Sequence, residues 1–151
     1  DGIIEVEVSG EPLPEAFAQA RGFVGIAFRV NKENSSQYEC FYLRPSNGRA
    51  NIQAQRNHSI QYISHPEYPW YRLREETPEM YESYVDLVPG KWTRIKIEVS
   101  GSMAKLYVDD AKQPSLIVND LKHGESGGTI ALWQHVSTLA HYRNLTVTAK
   151  K

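Results

Sequence analysis

Cysteine is almost missing from this chain: Cys40 is the only one. No disulfide can form within the chain, which fits a reducing compartment and equally a bacterial secreted protein that does without them. No apolar stretch approaches the ~20 residues of a membrane-spanning helix, so no membrane partner is expected. Basic runs are absent apart from Lys150 and Lys151, and 17 Lys and Arg stand against 18 Asp and Glu. Phosphate binding needs a basic surplus, so nucleic acid is not expected as a partner either. Close metal-ligand spacing is also lacking. His58 and His65 are separated along a loop, His135 and His141 flank a turn, and no second cysteine joins them. Zinc is therefore not expected, and no cofactor is. Helical periodicity is scarce as well. "PEAFAQAR" at 14–21 is the best candidate and reads as a loop or a single turn. No signal peptide is visible, and the chain opens on Asp1 as a trimmed or mature fragment would.

What is present is alternation. "GIIEVEV" puts Ile4, Val6 and Val8 on one face. "FVGIAFRV" gathers Val24, Ile26, Phe28 and Val30; "WTRIKIEV" gathers Thr93, Ile95, Ile97 and Val99; "AKLYV" gathers Ala104, Leu106 and Val108. Each has the period of two of a strand with one core face. Further strands are expected near 60–64, 80–87, 115–119, 129–135 and 139–148, separated by turn signals at 46–48, 89–90, 100–101, 109–110 and 124–128. About ten closely spaced strands predict an all-β, antiparallel two-sheet jelly-roll sandwich, in one domain over 1–151. Residues 50–79 break the regularity, and only their middle reads as strand; long connections of this kind often carry function.

"SQYECFYLRPSNGRA", 36–50, has two mixed faces: Tyr38, Cys40, Tyr42 and Arg44 on one, Gln37, Glu39, Phe41 and Leu43 on the other. A lone mid-strand cysteine beside tyrosines reads as a small buried residue. Aromatic residues make up 11% of the chain, with nine Tyr and three Trp. Their flat apolar bodies and polar tips serve cores and binding clefts alike. In "RNHSIQYISHPEYPWYRLRE", 56–75, they alternate with Arg, Gln and His, the mixture of a sugar pocket and equally of a cap over the sandwich end. Pro66 and Pro69 would stiffen that loop. In "GTIALWQH", Trp133 and His135 look outward if Ile130 and Leu132 face the core.

The order "DGIIEVEV", "FVGIAFRV", "YECFYLRP", "GKWTRIKIEVSGSMAKLYVDD", "LIVNDLK", "GTIALW" resembles the concanavalin A-like lectin/glucanase superfamily. It is most similar to the laminin-G-like and keto-disaccharide-hydrolase-like bacterial branches. The resemblance covers most of the chain and implies a concanavalin A-like sandwich in which one curved sheet presents a glycan-binding face. It implies a carbohydrate-binding domain, with an oligo- or polysaccharide as partner. The expected contacts are Arg29, Tyr42, Arg44, Gln61, Tyr62, Trp70, Arg72 and Trp133. The alternative is a glycoside hydrolase or related sugar-processing enzyme of this fold, with Glu5, Glu7, Glu39 and Glu82 as the pool of catalytic carboxylates. Glu5 and Glu7 lie two apart on one strand, ~7 Å from one another, and glycoside hydrolysis needs such a pair. Family-16 glucanases carry E-x-D-x-x-E on one strand; "EVEVSG" has Gly10 at the last position. A solvated strand face is the competing reading. A second alternative is a structural or adhesion module. Some laminin-G-like domains hold a calcium at the rim, and "VDD" at 108–110 and "VND" at 118–120 are the candidates here; both also read as turns. Proteins of this type begin with strands before "DGIIEVEV". The resemblance therefore implies a missing N-terminal edge strand or a substitute for it, and an open edge would permit self-association.

Overall fold

A computed structural model describes residues 1–150. It contains ten strands: β1 (Gly2–Pro12), β2 (Val24–Val30), β3 (Tyr38–Leu43), β4 (Ile60–His65), β5 (Glu82–Ser83), β6 (Thr93–Ser100), β7 (Met103–Val108), β8 (Leu116–Val118), β9 (Thr129–Gln134) and β10 (Thr138–Ala149). They form two antiparallel five-stranded sheets, a back sheet ordered β10-β1-β6-β7-β8 and a front sheet ordered β5-β4-β3-β2-β9. The chain starts in the back sheet, crosses to lay down the β2–β5 meander in front, and returns for the β6–β8 meander. It then adds β9 beside β2 and β10 beside β1.

Alternation decides the core. Ile4, Val6 and Val8 of β1, Ile95, Ile97 and Val99 of β6, and Ala104, Leu106 and Val108 of β7 are buried from the back sheet. They meet Val24, Ile26, Phe28, Phe41, Leu43, Ile60 and Tyr62 from the front sheet in one cluster. The positions from β1, β2, β6 and β7 are those that the period of two assigned to core faces; Phe41, Leu43, Ile60 and Tyr62 join them from strands whose faces the sequence left open.

β1 is not an edge. β6 pairs along one side, and β10 pairs along the other from Gly2↔Ala149 to Pro12↔Thr138, with an irregularity between Glu5 and Glu7. Among the described residues the outer edge of this sheet is therefore β10. Leu132 stands opposite the core residue Ile26 on β9, and Val147 opposite Ile4 on β10. Yet Leu132 is 53% and Val147 55% exposed, so the core is open along the β9/β10 side.

Two expectations are corrected. The strand expected over 80–87 shrinks to Glu82–Ser83, which pairs with Gln61 and Ile60. Beyond it Tyr84 and Asp86 turn outward to Arg56 and Arg49, while Leu87 enters the core. Helix is present in the 50–79 stretch, as α1 (Gln53–Arg56) and α2 (Trp70–Glu76). Both are short, and α2 buries only Leu73, so neither leaves a helical period in the sequence. "PEAFAQAR" forms turns, as expected.

Candidate functional site

The outward face of the front sheet carries the site. One row of partners crosses all five strands: Trp133, Gly25, Tyr42, Gln61 and Glu82. Gly25 explains the aromatic pair at its centre. A Cβ there would lie 2.7 Å from Tyr42 Cβ. Without one, the Tyr42 and Trp133 rings close over the glycine, stacked with centroids 4.6 Å apart. Trp133 Nε1 donates to the Tyr38 hydroxyl at 3.1 Å, which fixes the indole.

Beside this pair lies a buried charge cluster. Arg44 Nη1 bonds Glu82 Oε1 at 3.1 Å, and Arg44 Nη2 donates to the Tyr42 hydroxyl and to Gln61 Oε1, each at 2.9 Å. Arg74 donates through Nε to Glu82 Oε2 at 2.9 Å and through Nη2 to the other oxygen. His58 Nε2 is 3.7 Å from Glu82 Oε2. Burial opposes the Glu82 charge, but the hydrogen bonds and charges of Arg74 and Arg44 outweigh it and hold the carboxyl below its usual range. Burial, joined by the two arginines, lowers His58 against the pull of Glu82, and burial alone lowers His65. Burial pushes the Tyr42 hydroxyl up to about 12, so it stays protonated.

Two walls rise from this floor. On one side β4 turns through Pro66, with Ser64 and Tyr68 exchanging backbone hydrogen bonds at 3.1 and 2.7 Å, and launches α2 after Pro69. Buried Leu73 anchors α2, which presents Trp70, Tyr71 and Arg74 to the site. The Arg74 guanidinium lies 4.7 Å from the Trp70 ring centroid. On the other side the 13–22 loop is tied down by Leu13 N to Ser137 O at 2.8 Å and Ser46 N to Arg21 O at 3.1 Å. Phe17 and Phe23 both pack edge-on against His135. Floor and walls enclose a groove of about 530 Å³, within the roughly 300–1,000 Å³ of small-molecule sites.

Of the expected contacts, Tyr42, Arg44, Trp70 and Trp133 line this groove. Gln61 is fully buried beneath Arg44, its amide nitrogen held by the carbonyls of Tyr62 and Tyr81. Three expected contacts lie elsewhere. Tyr62 faces the core and donates to Glu39 at 2.6 Å. Arg29 bridges Asp1 and the carbonyls of Gly101 and Gly124. Arg72 packs on Tyr68 at 4.3 Å and pairs with Glu76, because its helix position points away from Trp70 and Arg74.

The carboxylate pool disperses. Glu5 and Glu7 lie on the outer face of the back sheet, paired with Arg94 and Arg143. Glu39 faces the core, where it accepts from Tyr62 and from the His123 amide at 2.9 Å and so ties down the β8–β9 connection. This accounts for the one charge on the core face of β3. Only Glu82 reaches the groove-bearing face, and no carboxylate is part of the groove lining. Cys40 is buried, and burial raises its thiol well above the usual range. No cluster of three or more His, Cys, Asp or Glu suited to a metal ion occurs among the described residues.

Sequence reasoning missed Phe17, Arg21 and Phe23, which come from the 13–22 loop and strand entry. The aromatic content of "AFAQARGF" was the only signal. Asn47 was missed as well. It is buried, its Nδ2 donates to His58 O at 3.1 Å, and its Oδ1 has no partner.

No family model matches the chain, and no curated protein matches it. Among solved structures it is similar to a carbohydrate binding module, CBM66, from Bacillus subtilis. The TM-score is 0.60 at 13% identity, covering 99% of this chain and 75% of that one. The likeness is of fold, a two-sheet β-sandwich.

Proposed function

We propose that the protein is a carbohydrate-binding module and that the front-sheet groove holds the sugar. The observation that carries this reading is the aromatic lining: half-buried Trp133 on the floor, stacked on buried Tyr42, with Trp70 and Phe23 on the walls. Sugar rings expose C–H-rich faces that pack on such surfaces, and interleaved polar groups bond the hydroxyls. The likeness to a structure titled as a carbohydrate binding module supports it. Binding is favoured over hydrolysis by the carboxylates. Two are needed about the scissile bond, one of them a protonated acid. Glu82 stands alone on this face and is held ionised by two arginines.

Saturation-transfer NMR with a panel of neutral and acidic oligosaccharides, followed over hours, tests the reading. Transfer without new anomeric signals is the expected result. Trp70 is 43% exposed, so Trp70→Ala should weaken binding by about tenfold with little change in melting temperature. A large fall in stability in that variant would make Trp70 a cap over the sheet rather than a contact. New anomeric signals would make the protein an enzyme.

A further inference from the structure

The groove is positively charged, and the chain as a whole is not. Arg21, Arg44 and Arg74 line it together with His58, His65 and His135, and the lining contains no Asp or Glu. The chain as a whole carries a formal charge of −1, so the positive excess is local.

Glu82 does not cancel it. That carboxylate is shared by Arg44 and Arg74, one negative charge for two positive. Arg44 is almost wholly engaged, by Glu82, Tyr42, Gln61 and the His58 carbonyl. Arg74 differs: Nε and Nη2 bond Glu82, while Nη1 has no partner among the described residues. Arg21 pairs with no carboxylate among the described residues; its Nη1 bonds only the carbonyls of Ala18 and Ala20, both at 2.8 Å. Guanidinium N–H groups on both walls therefore remain for a ligand. Trp70 lies over Arg74 and near Arg44, and a charge screened from water by an aromatic ring acts more strongly on a partner.

We infer that the ligand is an acidic saccharide. Its carboxylate or sulfate is taken by the free N–H groups of Arg21 and Arg74, and a ring face rests on Trp133, which buried Tyr42 backs. A planar guanidinium matches the oxygens of either anion, and a neutral sugar would leave the local positive charge unbalanced. This inference rests on the carbohydrate-binding reading.

Calorimetric titration of the wild-type chain with trigalacturonate and with its neutral methyl ester tests it, alongside a sulfated galactan oligosaccharide and its desulfated form. At least one acidic member should bind about tenfold or more tightly than its neutral counterpart, and the advantage should shrink between about 0.05 and 0.5 M salt. Which acidic probe shows the advantage identifies carboxylate or sulfate. Arg21→Gln should remove most of that advantage, and Arg74→Gln is the second variant should the 13–22 loop not tolerate the first. Neutral and acidic forms binding alike, with no salt dependence, would overturn the acidic ligand and leave the carbohydrate reading in place. No binding by any saccharide, here or across the wider panel, would remove both.

Discussion

Glu82 has Arg44, Arg74 and His58 within ion-pair distance, and the Glu82 and Arg44 side chains are 3% and 7% exposed. A buried ion pair contributes little net stability against an apolar replacement, but breaking one leaves a charge without compensation. Glu82→Gln strands Arg44 beneath the groove. It should cost about 3–5 kcal/mol, read by urea denaturation. A loss below about 1 kcal/mol would mean that water reaches Arg44 and that the cluster is a surface pair. At this scale the sequence was half legible. Tyr42 and Arg44 were expected outward only through the resemblance, since both faces of their strand are mixed, and Trp133 only if Ile130 and Leu132 face the core. Tyr62 could not be separated from Gln61, because nothing local says which face of a mixed strand meets the other sheet. The buried Glu39, which holds a distant loop, makes the core face of β3 read as polar.

Among the elements, α2 decides the shape of the groove. It is short, a helix of this length has little stability of its own, and its place depends on packing. Leu73 is its one buried residue, 2% exposed, while Trp70 and Arg74 sit a turn apart on the groove side. Leu73→Ala should cost about 2–4 kcal/mol by denaturant titration. It should also weaken saccharide binding by about tenfold or more in the molecules that remain folded, since Trp70 and Arg74 lose their footing together. Unchanged affinity in folded Leu73→Ala would show that α2 contributes no contact. The strands were legible and this helix was not, for one reason: a single buried leucine between polar residues carries no period. The same holds for the 13–22 loop, whose position comes from bonds to Ser137 and Ser46, far away in the chain.

For the molecule as a whole, the groove's titratable groups predict a direction of acid sensitivity. His58 and His65 have folded values below 6.5, so the unfolded chain binds protons that the folded chain resists. Stability should begin to fall as the pH drops below that value. Glu82 is lowered from 4.5, so its contribution is complete above that pH and is lost as the pH falls on through the folded value. Melting temperatures should therefore decline in two stages, the first beginning below about pH 6.5 and the second below about pH 4.5. Glu82→Gln should shrink the second stage, to which Glu7, Asp86, Glu98 and Asp120, also lowered by their ion pairs, contribute the rest.

The sequence by itself determined the all-β class and the core faces of β1, β2, β6 and β7. Each of these follows from side-chain alternation within one strand. Only the tertiary structure decided which outward face becomes a groove. That depended on α2 and the 13–22 loop being held over the front sheet and on β5 setting Glu82 beside Gln61. Arg44 and Glu82 are 38 residues apart in the chain. Their meeting is a property of strand order, which no local pattern encodes.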